Sequence, residues 1–214
     1  MKYNFDKPTN RRGTGSLKWD VPENELPMWV ADMDFETVPE VIEALRKRVE
    51  HGIFGYSIMP DAWSQSYENW WDKRHHITLN PDKLIFTTGV VPAISSAVRK
   101  LTTPAENVLV QTPTYNIFFN SIRNNGRNIV ENHLLYDGRK YHIDWETLER
   151  QLADPQTSLM ILCNPHNPIG KIWDKETLAR IGALCAENDV TVFSDEIHCD
   201  ITAPGKEYVP FAVI

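Results

Sequence analysis

The chain has 214 residues, 42% of them apolar and 24% charged, with a formal net charge of −7 and a pI near 5.5. This is the composition of a globular chain able to bury a core, and its acidic balance argues against nucleic acid, whose binding draws on basic patches. No apolar run is long enough to span a bilayer, so no membrane partner is expected, and Met1-Lys-Tyr-Asn-Phe-Asp6 lacks the apolar stretch of a signal peptide. The three cysteines, Cys163, Cys185 and Cys199, have no metal-ligand spacing. They read as free thiols in a reducing cytoplasm, and no metal is expected.

Residues 1–37 read as an irregular arm. Asn10-Arg-Arg-Gly-Thr-Gly15 is a polar turn region, and Pro22, Pro27 and Pro39 punctuate the residues after it. Pro27-Met-Trp-Val-Ala-Asp-Met-Asp-Phe35 sets an apolar run against two aspartates. It suits a short strand leading to a binding loop, or an arm packed on a neighbouring domain or subunit. Thr37, with Glu40 three residues on, has the pattern of a capping box. Val38, Val41, Ile42, Leu45 and Val49 then give one apolar helical stripe, ended by His51-Gly52. A second helix begins near Pro60 and Asp61, with Trp63, Tyr67, Trp70 and Trp71 on one face as core or interface packing. His75 and His76 close it, where imidazolium is favourable near helix carbonyls; no catalytic role is assigned to them.

From Leu84 strands alternate with helices. Leu84–Thr87 reads as a strand, and Thr88-Gly-Val-Val-Pro92 turns into a helix with Val90, Ile94, Ala97, Val98 and Leu101 on its apolar face. Strands are expected at 107–110, 128–131, 158–163 and 190–193, the last as a buried parallel strand. Helices are expected at about 115–124, after Asp144, and at about 175–188. This order implies an α/β fold, a mainly parallel sheet with helices on both faces. Gly89, Tyr115, Asn164 to Asn167, Asp195 and His198 all come after strands, so they gather at the sheet edge where open α/β sheets bind ligands.

Those residue types describe a ligand. Gly89, Val90 and Val91 open a helix whose backbone N–H groups suit an anion. Neither a dinucleotide Gly-x-Gly-x-x-Gly nor a Gly-Lys-Ser/Thr loop is present, which leaves a phosphate monoester. Tyr115 offers a flat face for a planar ring, or ordinary packing. Asn167 offers an amide to a ring substituent. Asp195 offers a carboxylate that keeps a heterocyclic nitrogen protonated, although Asp195 and Glu196 also suit capping of the next turn. Together these features describe pyridoxal 5′-phosphate.

The chain resembles fold-type I pyridoxal-phosphate enzymes, the class I/II aminotransferase superfamily, and within it the MalY/PatB-type cystathionine β-lyases. The resemblance rests on Arg11-Arg-Gly-Thr-Gly-Ser-Leu-Lys-Trp19, Pro27–Phe35, Phe54-Gly-Tyr-Ser57, Asn164-Pro-His-Asn-Pro-Ile-Gly-Lys171 and Ser194-Asp-Glu-Ile-His-Cys-Asp200. It implies a seven-stranded-type large domain, incomplete here and spanning residues 38–214, behind an arm or small-domain segment over 1–37. It implies that Asp195 pairs with the pyridine nitrogen and that Asn167 and His198 sit at the ring oxygen. Tyr115 stacks on the ring, and Gly89, Val90 and Val91 hold the phosphate. Tyr56 reaches the cofactor of a second subunit in a homodimer, and Trp29 and Val30 lie by the carboxylate of an amino-acid substrate. Glu196 is structural, and the Asn167–Pro168 bond is expected to be cis.

The same resemblance places a Schiff-base lysine a few dozen residues after Asp195. Lys206 is the only lysine after that aspartate, and Pro204-Gly-Lys206 reads as a solvated turn. The chain is therefore expected to be an N-terminal fragment, inactive alone, of a cytoplasmic carbon–sulfur β-lyase. The alternatives are an aminotransferase with the same ring contacts, a non-catalytic binding module, or a plain nucleotide-binding α/β domain.

Overall fold

The structure is a computed structural model that describes residues 3–214. The chain forms two compact units that meet in sequence at Pro60 and Asp61.

In the first unit, helix α1 spans Pro39–His51. Its N-cap is Val38, with no side-chain cap bond, so the capping box expected from Thr37 and Glu40 does not form. Pro39 is the cause. It occupies the first helical position, where its fixed φ is favourable, and it holds the residue before it extended. Thr37 thus lies one residue too early to cap. Gly52, at φ 70° and ψ 0°, closes the helix through its N–H to the Val49 carbonyl at 3.0 Å. The stripe Val41, Ile42, Leu45 and Val49 is exposed. The 27–35 segment forms no strand. Its aspartates are anchors instead. Asp34 accepts from Arg11 Nη1, Lys18 Nζ and Trp19 Nε1, each at 2.8 Å, and Arg11 Nη1 also lies 2.6 Å from Asp32.

The second unit begins with α2, Asp61–His75, whose aromatics pack along the helix: Trp63 stacks on Tyr67, and Tyr67 and Trp71 tilt together at 6.0 Å. Residues 84–87, expected as a strand, are not one. No described strand lies beside them to pair with, and Ile85 and Phe86 are exposed. Next come α3 (Val90–Leu101), β1 (Asn107–Thr112), α4 (Ile117–Arg123), β2 (Asn128–His133), the short β3 (Leu135–Tyr136) and β4 (Tyr141–His142), α5 (Trp145–Leu152), β5 (Thr157–Cys163), α6 (Lys175–Glu187) and β6 (Thr191–Asp195). Asp144 and Asp174 cap α5 and α6, accepting from Thr147 N and Thr177 N.

The described sheet is four-stranded and parallel, in the order β2-β1-β5-β6, with β3 and β4 a separate antiparallel pair. Strand alternation sends residues to two cores. Leu109, Met160 and Leu162 pack with Leu148, Leu178 and Ile181 from α5 and α6 on one face. Val108, Val110, Leu159, Ile161 and Cys163 pack with Ile94, Val98, Phe118 and Ile122 from α3 and α4 on the other. The α/β layering expected from sequence is therefore present. Strand β6 is less buried than its residues suggest, because it stands at a sheet edge: Thr191 is exposed, and Val192 and Phe193 are half-buried.

Candidate active site

Strands β1, β5 and β6 run parallel, so Thr112, Cys163 and Asp195 end at the same edge of the sheet. Cys163 and Asp195 are register partners, and Asn164 N donates to the Asp195 carbonyl at 3.0 Å. The Asp195 side chain is 6% exposed. Its Oδ1 accepts from Ile197 N at 3.2 Å, and among the described residues Oδ2 takes no hydrogen bond from the protein. Burial raises its pKa above the usual carboxylate range, and the Ile197 N–H bond and, more weakly, nearby His198 oppose that rise. A carboxylate taken out of water with one oxygen uncommitted is suited to a cationic partner.

The Asn164–Gly170 turn is built on buried polar groups. Asn164 Nδ2 donates to the Val209 carbonyl at 3.1 Å, and its Oδ1 accepts from Trp173 N at 3.2 Å. His166 Nε2 donates to the Pro113 carbonyl at 3.0 Å. Burial lowers the pKa of this imidazole and so favours its neutral form, and its buried Nδ1 has no hydrogen-bond partner among the described residues. Asn167 N donates to Cys163 Sγ at 3.4 Å, which ties Asn167 to the strand beside Asp195. The Cys163 thiol, pushed up to about 12 chiefly by burial, stays protonated and donates to the Pro165 carbonyl. The Asn167–Pro168 bond is cis, as expected, and so are Asn164–Pro165 and Thr112–Pro113. The Asn167 side-chain amide makes no hydrogen bond to the described protein, which leaves it available to a ligand.

Gly89 is the N-cap of α3 at φ 157° and ψ 168°, a conformation open essentially to glycine alone. Helix geometry leaves the first-turn N–H groups without intrahelical partners, and Pro92 contributes none. Val90 packs against the same core as Cys163, together with Tyr115 and Phe193, the latter two residues before Asp195. The start of α3, Tyr115 and the ends of β5 and β6 are thereby brought together. Tyr115 meets Phe118 edge-on at 5.8 Å. Trp29, Val30 and Tyr56 belong to the first unit, where Trp29 and Tyr56 are exposed and Val30 is half-buried.

Two carboxylates hold the 196–200 turn, and of these Asp200 had no signal in the sequence. Glu196 accepts from Ser194 Oγ at 2.9 Å, Phe211 N at 2.8 Å and the Tyr208 hydroxyl, the structural part expected of it. Asp200 accepts from Trp70 Nε1 and His75 Nε2, each at 2.9 Å, with Arg74 Nε at 3.4 Å. These contacts span 130 and 125 residues of chain, beyond the reach of any local pattern. They fasten the turn that carries His198 to the end of α2.

The donor set at this edge fits pyridoxal 5′-phosphate: free helix N–H groups for a phosphate, an aromatic face, an uncommitted amide and an uncommitted buried carboxylate oxygen. An open parallel α/β sheet with such an edge defines a ligand-binding α/β protein of the doubly wound kind. Residues 24–212 match the family described as aminotransferase class I and II, and the chain belongs to that family. It is 46% identical over 215 residues to cystathionine beta-lyase PatB of Bacillus subtilis, covering 98% of this chain and 56% of that protein. Among solved structures it is similar to cystalysin from Treponema denticola, which contains a pyridoxal 5′-phosphate cofactor: TM-score 0.92, 36% identity, 99% of this chain and 56% of that one. It is also similar to the PLP-bound C-S lyase from Staphylococcus hominis, with a TM-score of 0.90, 34% identity, and 99% and 56% of the two chains covered. The chain thus spans about half the length of the relatives it matches. Among the described residues no helix is long and apolar enough to cross a membrane.

Proposed function

We propose that this chain is the cofactor-holding part of a cytoplasmic, homodimeric, pyridoxal-phosphate-dependent carbon–sulfur β-lyase. In this reading residues 38–214 belong to the large domain and 1–37 form the arm. The observation that carries it is the buried Asp195 carboxylate at the end of β6, with Oδ2 uncommitted and His198 beside it. The bound cofactor supplies an electron sink for negative charge at the substrate Cα.

The chain's own residues set up that chemistry. Asp195 holds a proton on the pyridine nitrogen, because a neighbouring negative charge favours the cationic form. Asn167 and His198 would hydrogen-bond the ring oxygen, His198 helping to set the ring's electronics. Tyr115 covers one face of the ring. The N–H groups of Gly89, Val90 and Val91 hold the phosphate, helped by the α3 dipole. Tyr56 reaches the phosphate held by a second subunit, and Trp29 and Val30 orient the carboxylate of the amino-acid substrate. The overall change is β-elimination from a substrate such as cystathionine with uptake of one water, giving thiol, pyruvate and ammonia.

The lyase names of the relatives support this reading over an aminotransferase. The test is pyruvate release from cystathionine by the enzyme that carries this chain, with Asp195→Ala alongside. Pyruvate release lost in the variant is the expected result. Undiminished turnover by Asp195→Ala sinks the role of Asp195, and amino transfer to a keto acid in place of pyruvate release assigns the other activity.

A further inference from the structure

At the turn that follows the cofactor edge, His75, Cys199 and Asp200 each offer one donor atom, and the three atoms lie within 4.8 Å of one another. The group joins the last residue of α2 to the end of the 196–200 turn. Each residue is partly shielded from water. Trp71 lies 4.6 Å from the His75 ring and Tyr208 meets it edge-on at 5.4 Å, so aromatic walls stand on two sides. His75 Nε2 and Asp200 Oδ1 are already 2.9 Å apart, close to the spacing of two ligands on one ion.

We propose that His75, Cys199 and Asp200 form a site for a borderline-soft divalent cation such as Zn²⁺, with the fourth position open to water. The chemistry of the donors decides the class. Imidazole, thiolate and carboxylate are the set that zinc takes, whereas magnesium and calcium prefer oxygen alone. Ligands at ~2.0–2.3 Å in a tetrahedron stand about 3.5 Å apart, so the Cys199 sulfur, within 4.8 Å of both partner atoms, has to close in by no more than about 1 Å. Trp70 Nε1 already donates to Asp200 Oδ2, leaving Oδ1 for the ion, and such an outer hydrogen bond fixes a ligand's orientation. Burial, with Asp200 and Glu196, pushes the Cys199 thiol up to about 11, so a bound cation has to displace its proton. Arg74, 3.4 Å from Asp200, opposes it and would swing toward solvent, where its side chain is already half exposed.

Co²⁺ is the probe, because a cobalt–thiolate bond absorbs where a hydrogen-bonded His–Asp pair does not. Titration of the 214-residue chain is expected to give thiolate-to-cobalt charge transfer and tetrahedral d–d bands that saturate at one equivalent. Zn²⁺ is expected to displace them. Cys199→Ser should abolish the charge-transfer band, His75→Gln should weaken binding at least about tenfold, and His142→Ala, a histidine paired elsewhere with Asp137, should change nothing. Metal-free circular dichroism melts establish that each variant is folded. The proposal is overturned if the unmodified chain gives no cobalt–thiolate band, a result that needs no variant, or if the band survives in folded Cys199→Ser.

Discussion

Cys163 and Asp195 face each other in register at the ends of neighbouring parallel strands, and the Cys163 sulfur accepts the Asn167 N–H at 3.4 Å. The backbone of the turn after β5 is therefore tied, through one buried thiol, to the strand end that lies in register with Asp195. The sheet register sets the separation of these two functional groups, and loop flexibility has little part in it.

The buried acid makes stability depend on pH. The folded-state pKa of Asp195 lies above that of an unfolded carboxylate. The native state therefore holds the proton more tightly, and its stability falls as pH rises from the unfolded value through the folded one. Asp195→Asn removes that loss. Without cofactor, the variant is expected to melt higher than the parent chain at pH 7, with the difference vanishing near pH 3. Thermal melts at both pH values check this, and a lower melting temperature at pH 7 contradicts it.

Asp34 has the opposite sign. Lys18, Trp19 and Arg11 hold its carboxyl well below the usual range. The stability it lends the first unit is present above the unfolded carboxylate pKa and is lost as pH falls below it. Hydrogen-exchange protection over residues 3–60, taken relative to the intrinsic rate at each pH, should fall below pH 4, and Asp34→Asn should reproduce that loss of protection at pH 7.

Leu162 is fully buried on β5 among Leu148, Leu178 and Ile181. Leu162→Ala should cost about 2–5 kcal/mol through lost burial and the cavity left behind, measured as a fall in urea midpoint at constant m-value.

Gly89 holds a backbone conformation that a β-carbon disfavours, although the space around it is open, the nearest atom being Pro92 Cδ at 3.7 Å. Gly89→Ala should therefore cost about 1–3 kcal/mol from backbone strain alone, and it should weaken inorganic phosphate binding by displacing the first-turn N–H groups. Calorimetric phosphate titration of both chains checks the second effect.

The parts of this architecture that local chemistry controls were legible in the sequence. Hydrophobic period placed α3 and the alternation of strands and helices from residue 107 onward, and Asp144 announced α5. The cis bond before Pro168 was expected from the family resemblance and not from local chemistry. The errors came where a partner or a neighbour decides. Residues 84–87 have strand composition but no described strand to pair with. Thr37 has a capping sequence, but Pro39 moves the cap by one residue. The Asp200 contacts to Trp70 and His75 join distant segments, so no window of sequence contains them. Asp195 was visible in the sequence as an acid at a strand end suited to a ring nitrogen, but its burial in register with Cys163 is a property of the sheet.

The central claim is that Asp195 holds the charged ring nitrogen of the cofactor. The most direct test is equilibrium titration of the purified chain with pyridoxal 5′-phosphate, monitored by quenching of tryptophan fluorescence, in parallel with Asp195→Ala. The account predicts saturable binding of one cofactor per chain, weakened at least about tenfold in the variant, or roughly 1.4 kcal/mol. Equal affinity in the two proteins, or no saturable binding to the unmodified chain, would contradict it.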